Sequence, residues 1–140
     1  MIDWIERRSS FTRWLLVPIV FLVSASLVHG STIIGSWVLS IFWDATTREA
    51  DLWYYKFVIA NLLSAFLSCR LAGLTAPKFN FGTTCVCASG YLLVSAIIIY
   101  GMVALSVGRD SETVVTTFFA TLGAILAIWR AKINPSYELW

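Results

Sequence analysis

Apolar positions fall in four long stretches, at 14–42, 52–74, 83–107 and 114–129, separated by short polar clusters. The second carries Lys56 and Arg70 near its ends, and the third carries no charge. A hydrocarbon core of about 30 Å needs about 20 apolar residues per helix. The pattern therefore predicts four membrane-spanning helices, over about 14–43, 52–75, 83–107 and 112–131. The connections, at 44–51, 75–82 and 108–112, are short enough to make successive helices antiparallel neighbours. Strands of a membrane barrel would instead alternate in polarity over pieces of about ten residues. These runs are longer and do not alternate.

The first run exceeds one span. Its 29 residues would reach roughly 43 Å as a helix. Pro18 removes a backbone donor near one end, and His29-Gly30-Ser31-Thr32 interrupts the apolar pattern further along. A bend near Gly30, with the remainder oblique in the membrane, is one expectation. A straight, projecting helix is the other.

Composition sharpens the class. Hydrophobic residues make up 59% of the chain and charged residues 13%, and the mean hydropathy is +0.79. A soluble domain carries roughly 25% charged residues. Once the four runs are assigned, no segment remains to build a soluble domain. The expectation is one transmembrane domain over 1–140, an all-α integral membrane four-helix bundle whose long first helix is either kinked near Gly30 or straight and projecting.

The basic residues orient it. Lys and Arg are retained on the cytoplasmic side of a membrane. Arg7, Arg8, Arg13, Arg70, Lys78, Arg130 and Lys132 fall on one side, against Arg48, Lys56 and Arg109 on the other. This predicts a bacterial-type inner (plasma) membrane protein with both termini and the 75–82 loop cytoplasmic. The opposite loops hold Asp44, Glu49, Asp51, Asp110 and Glu112. Trp37, Trp43, Trp53, Tyr54 and Tyr55 would form an outer aromatic belt, with Trp4, Trp14, Phe79, Phe81, Trp129 and Trp140 in an inner one. Arg7-Arg8-Ser9-Ser10-Phe11 hints at a twin-arginine leader, and Ser24-Ala25-Ser26 at a cleavage site. Asp3 and Glu6 oppose a purely basic leader, so the first run is expected to be a retained helix or signal anchor.

Inside lipid, helices associate through small residues and hydrogen bonds rather than through exclusion of water. The third helix shows a seam at Cys87, Gly90, Val94, Ile97, Gly101, Ala104 and Gly108, spaced three and four apart on one face. The fourth places Thr113, Thr117, Ala120, Ala124 and Ala127 on one side and Phe118, Leu122, Leu126 and Trp129 on another. The second aligns Asn61, Ser64 and Ser68, and the first aligns Ser26, His29, Ser36 and Ser40. These polar stripes read either as glue between helices or as the lining of a hydrated path. One small bundle leaves no room for a wide pore, so a conducting path would need several copies around an axis.

Single polar residues refine this. His29, the only histidine, lies within the membrane. It reads either as a neutral side chain bonded to Ser26 or a carbonyl, or as a proton-sensing constriction. Asn61 lies near midplane with an amide to satisfy, by interhelical bonding or in a pore lining. Lys56 and Arg70 are expected to snorkel towards opposite interfaces. Arg70 is also a candidate for lipid phosphate or a partner carboxylate.

Cys69, Cys85 and Cys87 map to the cytoplasmic ends of the second and third helices, where disulfides do not persist. Cys-Val-Cys is not a zinc spacing, and no four-ligand set is available, so no metal and no cofactor are expected. The chain has no Walker loop, HExxH, CxxC or paired intramembrane aspartates. The lone histidine has no evident orienting carboxylate. No catalytic residue is assigned, and the basic residues form no nucleic-acid patch.

The reading is a non-enzymatic, multi-pass membrane protein in contact with membrane lipid, acting through helix–helix contacts as a homo-oligomer or as a subunit with other membrane proteins. The rival is an ion- or proton-conducting oligomeric channel lined by the Ser/His stripe of the first helix. A third option is a membrane immunity or defence protein.

Overall fold

The computed structural model describes residues 9–42, 53–77, 80–105 and 110–133, apart from the side chains at 36, 39, 40 and 42. It is all helical there. Helix α1 is Ser10–Phe42. A π-helical turn, Tyr55–Ile59, leads into α2, Ala60–Thr75. Helices α3, Asn80–Ala104, and α4, Ser111–Ile133, follow. All four, with the π-turn counted into the second, are long and apolar enough to cross a membrane.

Two helices begin with caps outside the apolar pattern. The Ser9 side chain accepts the Thr12 amide at 3.3 Å, so α1 starts earlier than its apolar run. Asp110 caps α4: its Oδ2 accepts the Thr113 amide at 2.9 Å and the Thr113 hydroxyl at 2.8 Å. Those bonds, the hydroxyl's first, hold the Asp110 carboxyl below its ordinary range.

Helix α1 runs without a break through Pro18 and through Gly30. Pro18 is exposed. The polar interruption at 29–32 is absorbed locally. The hydroxyls of Ser31 and Thr32 donate to the Val28 carbonyl at 3.0 and 2.7 Å, the back-bonding that lets these residues sit inside a helix.

Helix α2 is the hub and touches each of the others. In the most apolar part of its span 56% of residues are buried, against 11% for α3. Its sequence explains this, because Ala60, Ser64, Ala65, Ser68, Cys69, Ala72 and Gly73 are small and lie within the helix. Small side chains let helix backbones approach closely, which is the packing available where water is absent. Val17 of α1 packs on Ala72 and Ala76. Cys69 packs with Ala88 of α3 and Ala124 and Ala127 of α4 in a second, fully buried cluster, with Phe21, Phe66 and Tyr91 around it. Phe21 and Tyr91 meet edge to face, with centroids 5.7 Å apart.

Two glycines mark the closest approaches. A Cβ on Gly123 of α4 would collide with the Leu62 carbonyl and lie 3.1 Å from the Ala65 Cβ. A Cβ on Gly73 would collide with the Thr84 hydroxyl and stand 2.8 Å from Asn80 Oδ1. Bulky residues point outward: Leu22, Leu27, Val86, Leu93, Val103 and Phe118 are all at least 60% exposed. In a membrane that surface meets lipid.

Candidate functional site

The polar stripe of α2 is engaged on three sides. Ser64 donates to the Ala25 carbonyl of α1 at 3.0 Å. The Ser68 hydroxyl lies 3.3 Å from Tyr91 Oη of α3. Asn61 follows the π-turn and serves it. Its Nδ2 donates to the carbonyls of Phe57, at 3.1 Å, and Lys56, at 3.3 Å. A π-turn widens the backbone and leaves carbonyls poorly partnered, and such turns recur at functional sites. No apolar periodicity signals this one in advance. The signal available is an amide residue placed to reach back over four and five positions.

Asn61 also lines a cleft of about 170 Å³ between α2, α3 and α4, with Tyr91, Val94, Ser95, Ile98, Thr116, Thr117 and Ala120 as its other walls. Behind the cleft, the Thr121 hydroxyl reaches both Ser95 Oγ, at 2.9 Å, and the Thr117 carbonyl, at 2.7 Å. Thr117 and Ala124 of the α4 stripe are buried, and Ala120 is half-buried. Tyr91, Ser95 and Thr121 were not singled out by the sequence. They sit between the stripes, where periodicity gives no prompt. Beside Ser68 and Tyr91 lies the closed cluster of Cys69, Ala88, Ala124 and Ala127.

Ser26 and His29 of the α1 stripe do not line this cleft. Ser26 is exposed and His29 half-buried, whereas Ser24, two positions away, is buried and bonds the carbonyls of Val20 and Phe21 in its own helix. The side chains of Ser36 and Ser40 lie outside the described residues.

The α3 seam is placed differently from the buried face of that helix. Asn80, Thr83, Thr84, Ala88 and Ser95 are the buried residues of α3. Gly90 and Ala104 are exposed, as are Val94 at 54% and Ile97 at 62%, while Cys87 and Gly101 are half-buried. A Cβ on Gly90 or Gly101 would meet nothing within 4 Å. Gly108 lies outside the described residues. The face used inside the chain is rotated about one residue from the seam, with Thr84 against Gly73 and Ala88 against Cys69 of α2.

Basic residues gather at one end. Arg13 donates from Nε to the Thr75 carbonyl at 3.1 Å and from Nη2 to the Ala76 carbonyl at 2.9 Å. It thereby satisfies carbonyls that a helix end leaves open. Arg70 does not snorkel to the surface; it is fully buried, with Arg130 of α4 near enough to act on it electrostatically. Lys56, at the other end, is exposed and sits 5.0 Å from the Phe57 ring centroid. Beside Gly73, Asn80 and Thr83 are buried, and neither the Asn80 amide nor the Thr83 hydroxyl finds a hydrogen-bond partner among the described residues.

Cys69, Cys85 and Cys87 are free thiols, with Cys87 partly buried against the cluster that holds Cys69. Among the described residues no three His, Cys, Asp or Glu side chains converge in a way that could hold a metal ion.

The described helices together make a multi-helix, largely apolar protein with extensive helix–helix packing and a membrane-compatible surface. Compared with known proteins, the chain matches no family model, no curated protein and no solved structure at a significant level.

Proposed function

We propose that this chain is a non-enzymatic, multi-pass membrane protein that works by helix–helix contact, as a homo-oligomer or as a subunit of a larger membrane complex. The observation that carries the reading is the outward placement of the small-residue seam on α3. Gly90, Gly101 and Ala104 are the residues with which helices approach in lipid. Among the described residues, no atom beyond the adjoining backbone of α3 comes within 4 Å of where a Cβ on either glycine would be. A second helix laid on that face would reach the α3 backbone directly.

Orientation is part of the same reading. Arg13 at the start of α1, Arg70 near the end of α2, and Arg130 and Lys132 at the end of α4 share one end of the bundle. We assign that end to the cytoplasmic side of a bacterial-type inner membrane. The contacts Arg13–Thr75 and Ala25–Ser64 support an antiparallel α1/α2 pair. Those of Gly73 with Asn80 and of Ser95 with Thr121 support the same for the later pairs.

The experiment is a copy count of the detergent-extracted protein by native mass spectrometry, for the wild type and for Gly90→Leu/Gly101→Leu. An assembly in the wild type that falls apart in the double variant supports the reading. A single copy with no co-purifying subunit, or an assembly unchanged by the substitutions, refutes it.

A second reading, an ion- or proton-conducting oligomer, draws on Ser26 and His29. Their exposed and half-buried positions on α1 leave them available to a neighbouring copy. Liposome flux that is present in the wild type and lost in His29→Ala would favour it over contact alone.

A further inference from the structure

The cleft between α2, α3 and α4 has a chemistry that selects its occupant. We propose that it binds an uncharged amphipath bearing a hydroxyl group, which enters from the bilayer.

The argument starts at Asn61. Its Nδ2 is committed to the carbonyls of Lys56 and Phe57. Two carbonyl acceptors fix the amide orientation, since only the NH₂ end can donate to them. The Oδ1 atom is thereby left as an acceptor, and no donor among the described residues reaches it. Thr116 and Thr117 donate their hydroxyl protons to the Thr113 carbonyl, at 3.1 and 2.7 Å, so their oxygens are also left as acceptors. The polar part of the wall thus offers acceptors at Asn61, Thr116 and Thr117 beside one hydroxyl, Ser95, that accepts from Thr121 and keeps its own proton to donate, a set that a group able both to donate and to accept satisfies. A polar atom at membrane depth without a partner is unfavourable by several kcal/mol in hydrocarbon, on the order of a lost hydrogen bond or more.

Charge narrows the class. None of the cleft-lining residues is ionisable at neutral pH. A carboxylate or phosphate would face acceptors, and an ammonium group would enter a membrane site with no counter-charge. A neutral O–H group satisfies the wall without either penalty.

Shape supplies the rest. Val94, Ile98 and Ala120 make the remaining wall apolar. A second cleft of about 290 Å³, lined by Phe21, Gly90, Tyr91 and Val94, shares Tyr91 and Val94 with the first. Its lining is apolar, since the Tyr91 hydroxyl is turned to Ser68. The two clefts adjoin at Tyr91 and Val94, and the proposal places the hydroxyl head at Asn61 and the apolar tail at Gly90. Val94, between them, is 54% exposed, so the junction opens sideways to lipid.

The test uses the full chain in lipid nanodiscs with a photoactivatable diazirine analogue of 1-octanol as the probe, and adducts mapped by mass spectrometry. Adducts are expected on Tyr91, Val94, Ser95 or Thr116, removed by excess 1-octanol but not by octane or octanoate. Asn61→Leu should reduce them roughly tenfold, the effect of one lost hydrogen bond of about 1.4 kcal/mol. Because Asn61 also supports the π-turn, Ala120→Leu provides a second variant that fills the cleft and leaves every hydrogen bond intact. It should abolish labelling in a folded protein. Adducts outside the cleft, equal competition by octane, or wild-type labelling of Ala120→Leu would each overturn the proposal and leave a cleft that holds water only. The labelling readout is separate from the copy count, but Gly90 and Val94 belong both to the tail site and to the α3 seam, so a helix laid on the seam would compete with the tail.

Discussion

The guanidinium of Arg13 closes the end of α2, donating from Nη2 to the Ala76 carbonyl at 2.9 Å. With the Nε bond to Thr75, a residue from the first turn of α1 satisfies the two carbonyls that lie beyond the helix's own closing bond from the Ala76 amide to the Gly73 carbonyl. The planar fork suits two successive carbonyls, and an ammonium group does not reproduce it. Arg13→Met should lower stability by about 2–3 kcal/mol, because two charge-assisted bonds are lost at a buried site. Arg13→Lys should recover only part. Unfolding in mixed micelles measures both, and equal stability of all three proteins would show that the contact is incidental.

Gly123 is expected to be intolerant of any side chain. An alanine there would force α2 and α4 apart at Leu62, a loss of about 1–3 kcal/mol of the kind seen when a packed core is overfilled. Gly30 gives the contrasting case, with nothing within 4 Å of its would-be Cβ. Gly30→Ala should be neutral or stabilising by up to about 1 kcal/mol, from helix propensity alone. The same unfolding assay reads the difference in sign.

The Ser95–Thr121 contact couples α3 to α4 at 2.9 Å. A double-mutant cycle with Ser95→Ala and Thr121→Val should return a coupling of about 0.6 kcal/mol, the average for interhelical hydrogen bonds in a membrane. Additive losses would mean that each hydroxyl is satisfied by its own backbone instead.

Asp110 ties the start of α4 to pH. Its carboxyl is held below the ordinary range by the Thr113 hydroxyl and amide. A depressed value in the folded state means that the cap is fully in place at neutral pH. Its contribution fades as pH falls below the ordinary carboxylate value and is gone below the lowered one. Amide exchange at Thr113 should therefore accelerate on acidification in the wild type. In Asp110→Asn, where the cap does not titrate, it should stay flat apart from the intrinsic rate. A wild-type profile identical to that of the variant would refute the capping role.

Four apolar runs of 16 to 29 residues, broken by short polar clusters, leave few alternatives to four spanning helices. The helix ends were less legible. Ser9 and Asp110 act through side-chain caps, and a hydropathy pattern does not register them. The same holds for the π-turn before Asn61, since a change in backbone hydrogen-bond register alters no residue's polarity. Arg70 shows the limit from another side. A single arginine near a helix end reads as a snorkelling residue, but whether its stem reaches water or is covered depends on which helix lies over it.

The chain's own order of residues determined its solvent, its number of helices, the gathering of basic residues at one end and the small side chains of the second helix. Those are properties of composition and spacing, which act before any helix meets another. Tertiary structure decided which stripe is used. Residues three and four apart share a face in any helix, yet only rotation against a neighbour selects Thr84 and Ala88 for burial and leaves Gly90 and Gly101 outward. Close approach depends on the shape of both surfaces at once, and no single helix carries that information.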